Sequence, residues 1–178
     1  MSLVLEERVA AFVSAPAVSI AVASRDAHHQ AALFKAVACR VSAARDRVTL
    51  LVDQQLASEV VRCLRAGFPI AAVFSEPATH RTLQLKGSRA EVSPATPADI
   101  ELAREHGIAI VEHIASLDHP RDAVQCYFHH SPENLVAVQF DRQVRSVTRH
   151  EGGGTARVDE PVGHQDDGRR RVGPVIDP

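Results

Sequence analysis

The chain contains no tryptophan and a single tyrosine, Tyr127, among its 178 residues. Because proteins often hold flat ligands against aromatic rings, this shortage argues against an aromatic sandwich. We expect any flat ligand to contact backbone groups, aliphatic side chains and phenylalanines. Cysteine is also scarce: Cys39, Cys63 and Cys126 are widely spaced and form no paired motif. We interpret them as reduced, structural thiols.

The chain has no excess of charge of either sign. Its 20 basic and 22 acidic residues are interspersed and give a formal net charge of −2. A broad cationic face that could neutralise the phosphates of a duplex is not expected, which disfavours nucleic-acid binding. No apolar run approaches the roughly 20 residues that span a bilayer, and no secretory signal pattern opens the sequence. We therefore expect a soluble, cytoplasmic protein without a membrane partner.

Ten histidines are present, but their spacing is not that of metal ligands. The adjacent pairs His28-His29 and His129-His130 would point in opposite directions on a strand. No histidine pair at ligand spacing has a cysteine or aspartate partner nearby. Neither a nucleophile elbow nor a phosphate-binding glycine loop occurs. The sequence therefore predicts no metal site and no hydrolase triad.

The composition supports one folded domain and a tail. Apolar residues make up 45% of the chain, and a chain near this size removes about 70% of its unfolded surface from water. From residue 151 onward the sequence turns to glycine, charged residues and proline, which bury little apolar surface. We predict one domain over residues 1–150 and a flexible tail over residues 151–178.

Apolar residues recur at helical spacing in several segments. Residues 5–13 predict a short amphipathic helix. Leu56, Val60 and Leu64 fall at i, i+4 and i+8 and predict one buried stripe of a second helix, which Asp53 can cap.

A third helix is predicted to begin at Thr96, which can act as its cap, and Gly107 is expected to break or kink it. Apolar runs between turn residues predict strands. These strands cover residues 17–23, 31–41, 48–52, 70–74, 81–92, 135–140 and 144–148.

The strand over residues 81–92 contains a change of register. Leu83 and Leu85 share one face, whereas Ala90 and Val92 have the opposite parity. Something must therefore shift the side-chain alternation between them. Gly87 is the natural position for a bulge, which is how a strand of a small barrel turns a corner.

Residues 81–87 read Arg-Thr-Leu-Gln-Leu-Lys-Gly and follow a strand and a turn. This stretch resembles the Arg-x-Leu-x-Leu-x-Gly strand of the pyridoxamine 5′-phosphate oxidase-like flavin-binding split barrels. The order of elements is similar to that family over roughly residues 5 to 148. The resemblance implies a mainly β fold: a six-stranded antiparallel split β-barrel of the FMN-binding type, with flanking helices.

The resemblance also implies where a cofactor would bind. In that family, flavin mononucleotide (FMN) lies between two subunits, and the second strand and the helix after the third strand hold its phosphate and ribityl chain. Lys35 and Arg40 match a strand element with two basic residues, and their odd spacing predicts opposite sheet faces. The predicted cofactor-binding residues are Lys35, Ala36, Val37, Arg40, Asp53, Ser58, Arg81, Thr82 and Gln84.

One position departs from the family pattern. Glu59 and Val60 follow Ser58, where many relatives carry arginine or lysine. Lys35 and Arg40 could supply the missing charge, Arg62 could reach back, or flavin binding could be weak or absent. Lys35 and Arg40 could equally be ordinary exposed charges of a strand.

The resemblance implies a homodimeric, FMN-dependent oxidoreductase that acts on a small-molecule substrate, with a nicotinamide electron donor as a candidate partner. The alternative is a non-enzymatic module of the same fold that binds a flavin or a tetrapyrrole. True pyridoxamine 5′-phosphate oxidase activity is not expected, because the family's tryptophan-containing terminal strand has no counterpart in a chain without tryptophan.

Overall fold

The computed structural model describes residues 4–141, 144–151 and 154–159, with side chains described up to residue 141. Within these ranges the chain forms four α-helices, one 3-10 turn and ten strands. The helices are Glu7–Val13 (α1), Ser58–Arg65 (α2), Pro97–Ala115 (α3) and Arg121–Tyr127 (α4), and the 3-10 turn is Pro132–Asn134. The strands are Ser19–Arg25 (β1), Ala31–Ala36 (β2), Ala38–Val41 (β3), Arg47–Asp53 (β4), Ile70–Ser75 (β5), Thr82–Gly87 (β6), Glu91–Pro94 (β7), Leu135–Asp141 (β8), Val144–Glu151 (β9) and Gly154–Asp159 (β10).

The strands form two sheets. One has the order β10-β9-β6-β5-β1-β2 and the other has the order β3-β4-β8-β7. All neighbouring strands within the described residues pair antiparallel. This confirms the predicted mainly β, antiparallel fold with flanking helices. The single barrel of six strands stays a prediction, because the structure divides its strands between a six-stranded and a four-stranded sheet.

The main core lies between the two sheets. Ile20 and Phe74 of the six-stranded sheet belong to the same buried cluster as Leu50 and Val138 of the four-stranded sheet. Helix α2 packs against β1, β2 and β7 and adds Leu64 to this cluster. The alternation of apolar residues along the strands therefore buries one face of each sheet.

The predicted stripe of α2 is confirmed at two of its three positions. Val60 and Leu64 are each 1% exposed, but Leu56 is 50% exposed. Placing Leu56 in the buried stripe is wrong because the helix begins only at Ser58. Leu56 lies in the preceding turn, where the helical period does not apply.

Residues 31–41, predicted as one strand, form β2 and β3 in different sheets. Ala36 faces the main core, and the next residue in that core is Cys39, three positions further on rather than two. The alternation therefore slips by one residue around Val37. Because of this slip, Lys35 and Arg40 both lie on faces turned away from the main core, and the prediction of opposite faces is wrong.

The register change in the strand after the hairpin is confirmed. Leu83 and Leu85 are buried in the main core, and Ala90 and Val92 pack against the same core in spite of their opposite parity. Gly87 ends β6, and the chain passes from there into β7 of the other sheet.

Helix α3 covers the outer face of the four-stranded sheet, where Ala103 packs with Ala38. Thr96 and Asp99 form a capping box at its start, as the sequence indicates for Thr96. The helix runs unbroken through Gly107, so the predicted break is wrong. A glycine inside a helix costs only about 1 kcal/mol relative to alanine, which tertiary packing can offset.

Helix α4 follows Pro120 directly, and the sequence did not predict it. Val124 is its one buried residue. Sequence-based prediction of a helix depends on apolar residues that recur at helical spacing. A helix of seven residues with one buried side chain has no such recurrence, so the sequence does not predict it.

The three cysteines are free. Cys39 and Cys63 are buried, as expected of structural thiols, and burial raises the pKa of the Cys39 thiol. Cys126 differs because it is exposed on α4.

Strand β9 confirms the strand predicted at residues 144–148. Strand β10 lies inside the segment predicted as a flexible tail and pairs with β9. The boundary at residue 151 stays a prediction, and residues 160–178 lie outside the described ranges. No described helix is long and apolar enough to cross a membrane.

Candidate functional site

A cleft of about 350 Å³ opens between β2 and the first turn of α2. Strand β2 is the last strand of the six-stranded sheet, so one of its edges is unpaired in the described chain. Leu33 and Phe34 of β2 and Leu56 of the turn before α2 are among its apolar lining residues. Leu33 is 69% exposed, which is unusual for a leucine within a strand.

The start of α2 is held in place by the carboxylate of Asp53. This side chain is 3% exposed. Its Oδ1 accepts hydrogen bonds from the amides of Gln55 at 3.0 Å and Leu56 at 3.2 Å, and its Oδ2 accepts one from the amide of Ser131 at 3.0 Å. Asp53 therefore organises the turn that leads into α2, and it does not line the cleft.

The lining of the cleft also contains charged side chains. Glu59 and Arg62 form an ion pair, with Arg62 Nη2 and Nε at 2.7 and 3.1 Å from Glu59 Oε2. This hydrogen bond and the charge of Glu59 raise the pKa of Arg62. Asp26 also lines the cleft. The lining therefore contains two carboxylates and one guanidinium, which is already paired.

Asp26 is fixed by the turn between β1 and β2. Its Oδ1 accepts hydrogen bonds from the amides of His28 at 2.9 Å and Gln30 at 3.0 Å. The bond from Gln30 is the main cause of a lowered pKa of Asp26, so this side chain is ionised at neutral pH. The sequence analysis missed Asp26 as a site residue. The signal available in the sequence was an aspartate at the start of a polar turn. Aspartate side chains in such turns commonly accept hydrogen bonds from the amides two to four residues further on.

Ser58 is the one predicted site residue that lines the cleft. It is exposed and is the first residue of α2. The first amides of a helix have no acceptor within the helix, and they carry the positive end of its dipole. The hydroxyl of Ser58 and these amides are therefore the hydrogen-bond donors that this part of the cleft offers.

Lys35 lies away from the cleft, against α4. Its Nζ is 4.2 Å from the ring centre of Tyr127 and 5.5 Å from that of Phe128. Burial lowers the pKa of Lys35, and the nearby Cys126 and Asp53 oppose this shift. The contact joins β2 to α4 through a cation–π interaction.

Arg40 is bound to the start of α3. Its Nε lies 2.7 Å from Oδ1 of Asp99, whose side chain is 2% exposed. Oδ2 of Asp99 accepts hydrogen bonds from the amide and hydroxyl of Thr96 at 3.0 and 2.8 Å. The guanidinium of Arg40 therefore anchors α3 to β3. Between the two basic residues, Ala36 is buried and the amide of Val37 donates to the carbonyl of Leu51.

The Arg40–Asp99 pair predicts a pH-dependent stability. Burial raises the pKa of Asp99, but the hydrogen bonds from Arg40 and Thr96 outweigh it and lower the pKa overall. A carboxylate with a lowered pKa stabilises the fold above its unfolded pKa of about 3.9 and loses this contribution as the pH falls. We expect the wild type to lose stability more steeply than Asp99→Asn between about pH 5 and pH 3. Urea denaturation across this range measures the difference, and parallel profiles would contradict it.

The remaining predicted residues lie on and before β6. The guanidinium carbon of Arg81 is 4.4 Å from the ring centre of Phe12. Thr82 Oγ1 is 3.1 Å from Ser75 Oγ and donates to the carbonyl of His80. Gln84 pairs with Val73 on the outward face of the six-stranded sheet. The nine predicted residues are thus spread over both sheets, and their roles in binding stay predictions.

The molecule is an antiparallel β protein with two sheets, flanking helices and an open cleft at a sheet edge. No protein-family model and no curated protein sequence matches the chain. Solved structures do match it. An F420 reductase is 11% identical, and the match covers 80% of this chain and 98% of that one with a TM-score of 0.53.

Two further structures are similar over a comparable length. A candidate pyridoxamine 5′-phosphate oxidase from Lactobacillus delbrueckii is 12% identical, with 78% and 90% of the two chains covered and a TM-score of 0.48. An FMN-binding, pyridoxamine 5′-phosphate oxidase-related protein from Nostoc punctiforme is 13% identical, with 80% and 78% covered and a TM-score of 0.46. The predicted resemblance is confirmed as a similarity of fold.

Proposed function

We propose that this chain is a flavin-binding split-barrel protein that acts as an oxidoreductase, with the flavin in the cleft between β2 and α2. The observation that carries the proposal is the position of this cleft. It lies between the second strand and the helix that follows the third predicted strand, where the resemblance implies a flavin. In this proposal the two sheets close into the six-stranded split barrel of that family, and the substrate is a small molecule.

The residues of the cleft suit one part of FMN better than another. Leu33, Phe34 and Leu56 offer apolar contacts to a flat ring. The phosphate group of FMN needs positive charge, but Arg62 is paired with Glu59 and Asp26 adds a second carboxylate. Among the described lining residues, the donors for an anion are neutral: the Ser58 hydroxyl, the Gln30 side-chain amide and the first amides of α2. These residues therefore fit the ring of FMN but not its phosphate dianion.

A bound flavin would supply hydride or electron transfer, and the protein would hold and orient it. The experiment is to purify the full chain and record its visible absorbance before and after incubation with flavins. Retained flavin absorbance supports binding, and bleaching by a nicotinamide donor supports an oxidoreductase. A chain that neither retains nor takes up any flavin would contradict the proposal.

The paired charges of the cleft favour a second candidate function, a non-enzymatic module that binds a flavin or a tetrapyrrole. Glu59 directs Arg62 back onto its own helix, so no cation lining the described cleft is available to tune a reactive ring. Flavin or tetrapyrrole absorbance that no nicotinamide donor changes would support this candidate over the oxidoreductase.

We expect the protein to be a homodimer in either case. The unpaired edge of β2, with the exposed Leu33 and the neighbouring Leu56, offers an apolar surface to a second subunit. The leucines of the hairpin formed by β5 and β6 do not add to this surface. Leu83 is 5% exposed and Leu85 is fully buried, because both face the chain's own core.

If this surface forms the dimer interface, a charged residue at position 33 should strongly weaken dimerisation. Leu33→Asp would bury an unpaired carboxylate in the interface, and we expect it to weaken dimerisation at least about tenfold. Ile108→Asp, at a leucine-sized residue that is 53% exposed on α3, is the control. Analytical ultracentrifugation over a concentration series compares the three proteins. A wild type that is monomeric throughout, or a Leu33→Asp variant that dimerises like the wild type, would contradict the proposed interface.

A further inference from the structure

The lining of the cleft between β2 and α2 combines apolar and acidic side chains. Leu33, Phe34 and Leu56 are apolar lining residues, and Asp26 and Glu59 are acidic ones. The cleft volume of about 350 Å³ lies within the range of small-molecule sites. A ligand that fills it would contact both apolar side chains and carboxylates.

Each of the two carboxylates has one oxygen with no partner among the described residues. Glu59 uses Oε2 for both hydrogen bonds with Arg62, and Asp26 uses Oδ1 for both backbone amides. Oε1 of Glu59 and Oδ2 of Asp26 therefore remain as acceptors. A hydroxyl group can donate to such an oxygen, and hydrogen bonds to charged groups are the stronger ones.

A phosphate dianion cannot make the same contacts. It offers only acceptor oxygens, and its charge is repelled by both carboxylates. The one guanidinium of the lining, that of Arg62, is occupied by Glu59 at 2.7 Å. The two carboxylates of the lining therefore favour a polyol and disfavour a phosphate ester.

We infer that this cleft selects a flavin that lacks the terminal phosphate, of which riboflavin is the representative, and that Glu59 determines this specificity. The inference rests on the proposed function, because it assumes that a flavin occupies the cleft. The ring would contact the apolar residues Leu33, Phe34 and Leu56, and the ribityl hydroxyls would donate to Glu59 and Asp26.

The test is a titration of the full chain, freed of any bound flavin, with riboflavin and with FMN. Quenching of flavin fluorescence and equilibrium dialysis give the two dissociation constants. We expect riboflavin to bind about tenfold or more tightly than FMN, the size of a screened interaction between charges a few ångströms apart.

Two variants test the role of Glu59. Glu59→Gln keeps a side-chain oxygen acceptor but removes the negative charge and frees Arg62, so we expect FMN to bind about tenfold more tightly while riboflavin changes less than about threefold. Glu101→Gln is the matched control. It breaks a pair of the same spacing, Glu101–Arg104, on α3, and neither flavin should bind differently.

The outcomes separate the inference from the function on which it rests. FMN that binds the wild type as tightly as riboflavin, or an unchanged ratio of affinities in Glu59→Gln, would overturn the specificity and leave flavin binding intact. Binding of neither flavin to the wild type would overturn the proposed function and this inference together.

Discussion

Replacing Gly87 by alanine is expected to lower the free energy of unfolding by about 1 to 3 kcal/mol, and replacing it by valine by more. A Cβ atom on Gly87 would lie 2.9 Å from Cδ2 of Phe140, 3.0 Å from the carbonyl oxygen of Asp141 and 3.1 Å from Cγ2 of Ile70. Phe140 and Ile70 are each 2% exposed, so neither can move away into solvent. The close approach occurs where the chain leaves the six-stranded sheet, and relieving it would move β6 away from β8.

Gly107→Ala is the control, and we expect it to raise the free energy of unfolding rather than lower it. Gly107 lies inside α3, and the nearest atom to an added Cβ, Cε1 of His130, would be 3.5 Å away. This is an ordinary van der Waals contact, and alanine in place of glycine stabilises a helix interior by roughly 0.5 to 1 kcal/mol. Urea denaturation of the three proteins measures both changes. Equal midpoints for the wild type and Gly87→Ala would contradict the proposed role of the close approach.

Gly87 also illustrates which changes of register a sequence reveals. Leu83 and Leu85 alternate with polar residues before Gly87, and Ala90 and Val92 do so after it, so a change of parity is visible and the glycine marks its position. Around Val37 the residues are Ala36, Val37, Ala38 and Cys39, all of them small or medium apolar residues. Such a run fits either register, so the slip between β2 and β3 could not be predicted.

The helices also differ in how much of them the sequence predicts. The start of α3 was predictable because Thr96, Pro97 and Asp99 form a local signal, and side chains within three residues satisfy each other. The continuity of α3 through Gly107 depends on packing against elements distant in sequence, which the local pattern does not contain. Helix α4, with its one buried valine, has no period to detect.

The candidate site was the hardest part to predict, because the predicted basic residues have partners that are distant in sequence. Arg40 binds Asp99, 59 residues away, and Arg81 lies over the ring of Phe12. Local spacing indicates that a basic residue lies on a strand, but it does not reveal which carboxylate or ring will contact it. The Glu59–Arg62 pair was the exception, since residues three apart on a helix are neighbours. The sequence therefore indicated the departure at Glu59 but not the position of the other predicted residues.

Truncation of Leu64 tests the core between the sheets, and we expect Leu64→Ala to cost about 2 to 5 kcal/mol in the free energy of unfolding. The side chain is 1% exposed and packs in the main core under α2. Removing its methyl groups loses buried apolar contact and leaves a cavity that rigid strands on both sides cannot close.

Leu56→Ala makes the same chemical change eight residues earlier, at a side chain that is 50% exposed in the turn before α2. At a protein concentration at which the chain is monomeric, surface substitutions of this kind usually change stability by less than about 0.5 kcal/mol. Urea denaturation of both variants and the wild type, analysed for the midpoint and the slope, gives the two costs. A midpoint for Leu64→Ala equal to that of the wild type would contradict the packing of α2, and equal losses in the two variants would mean that the helix begins before Leu56.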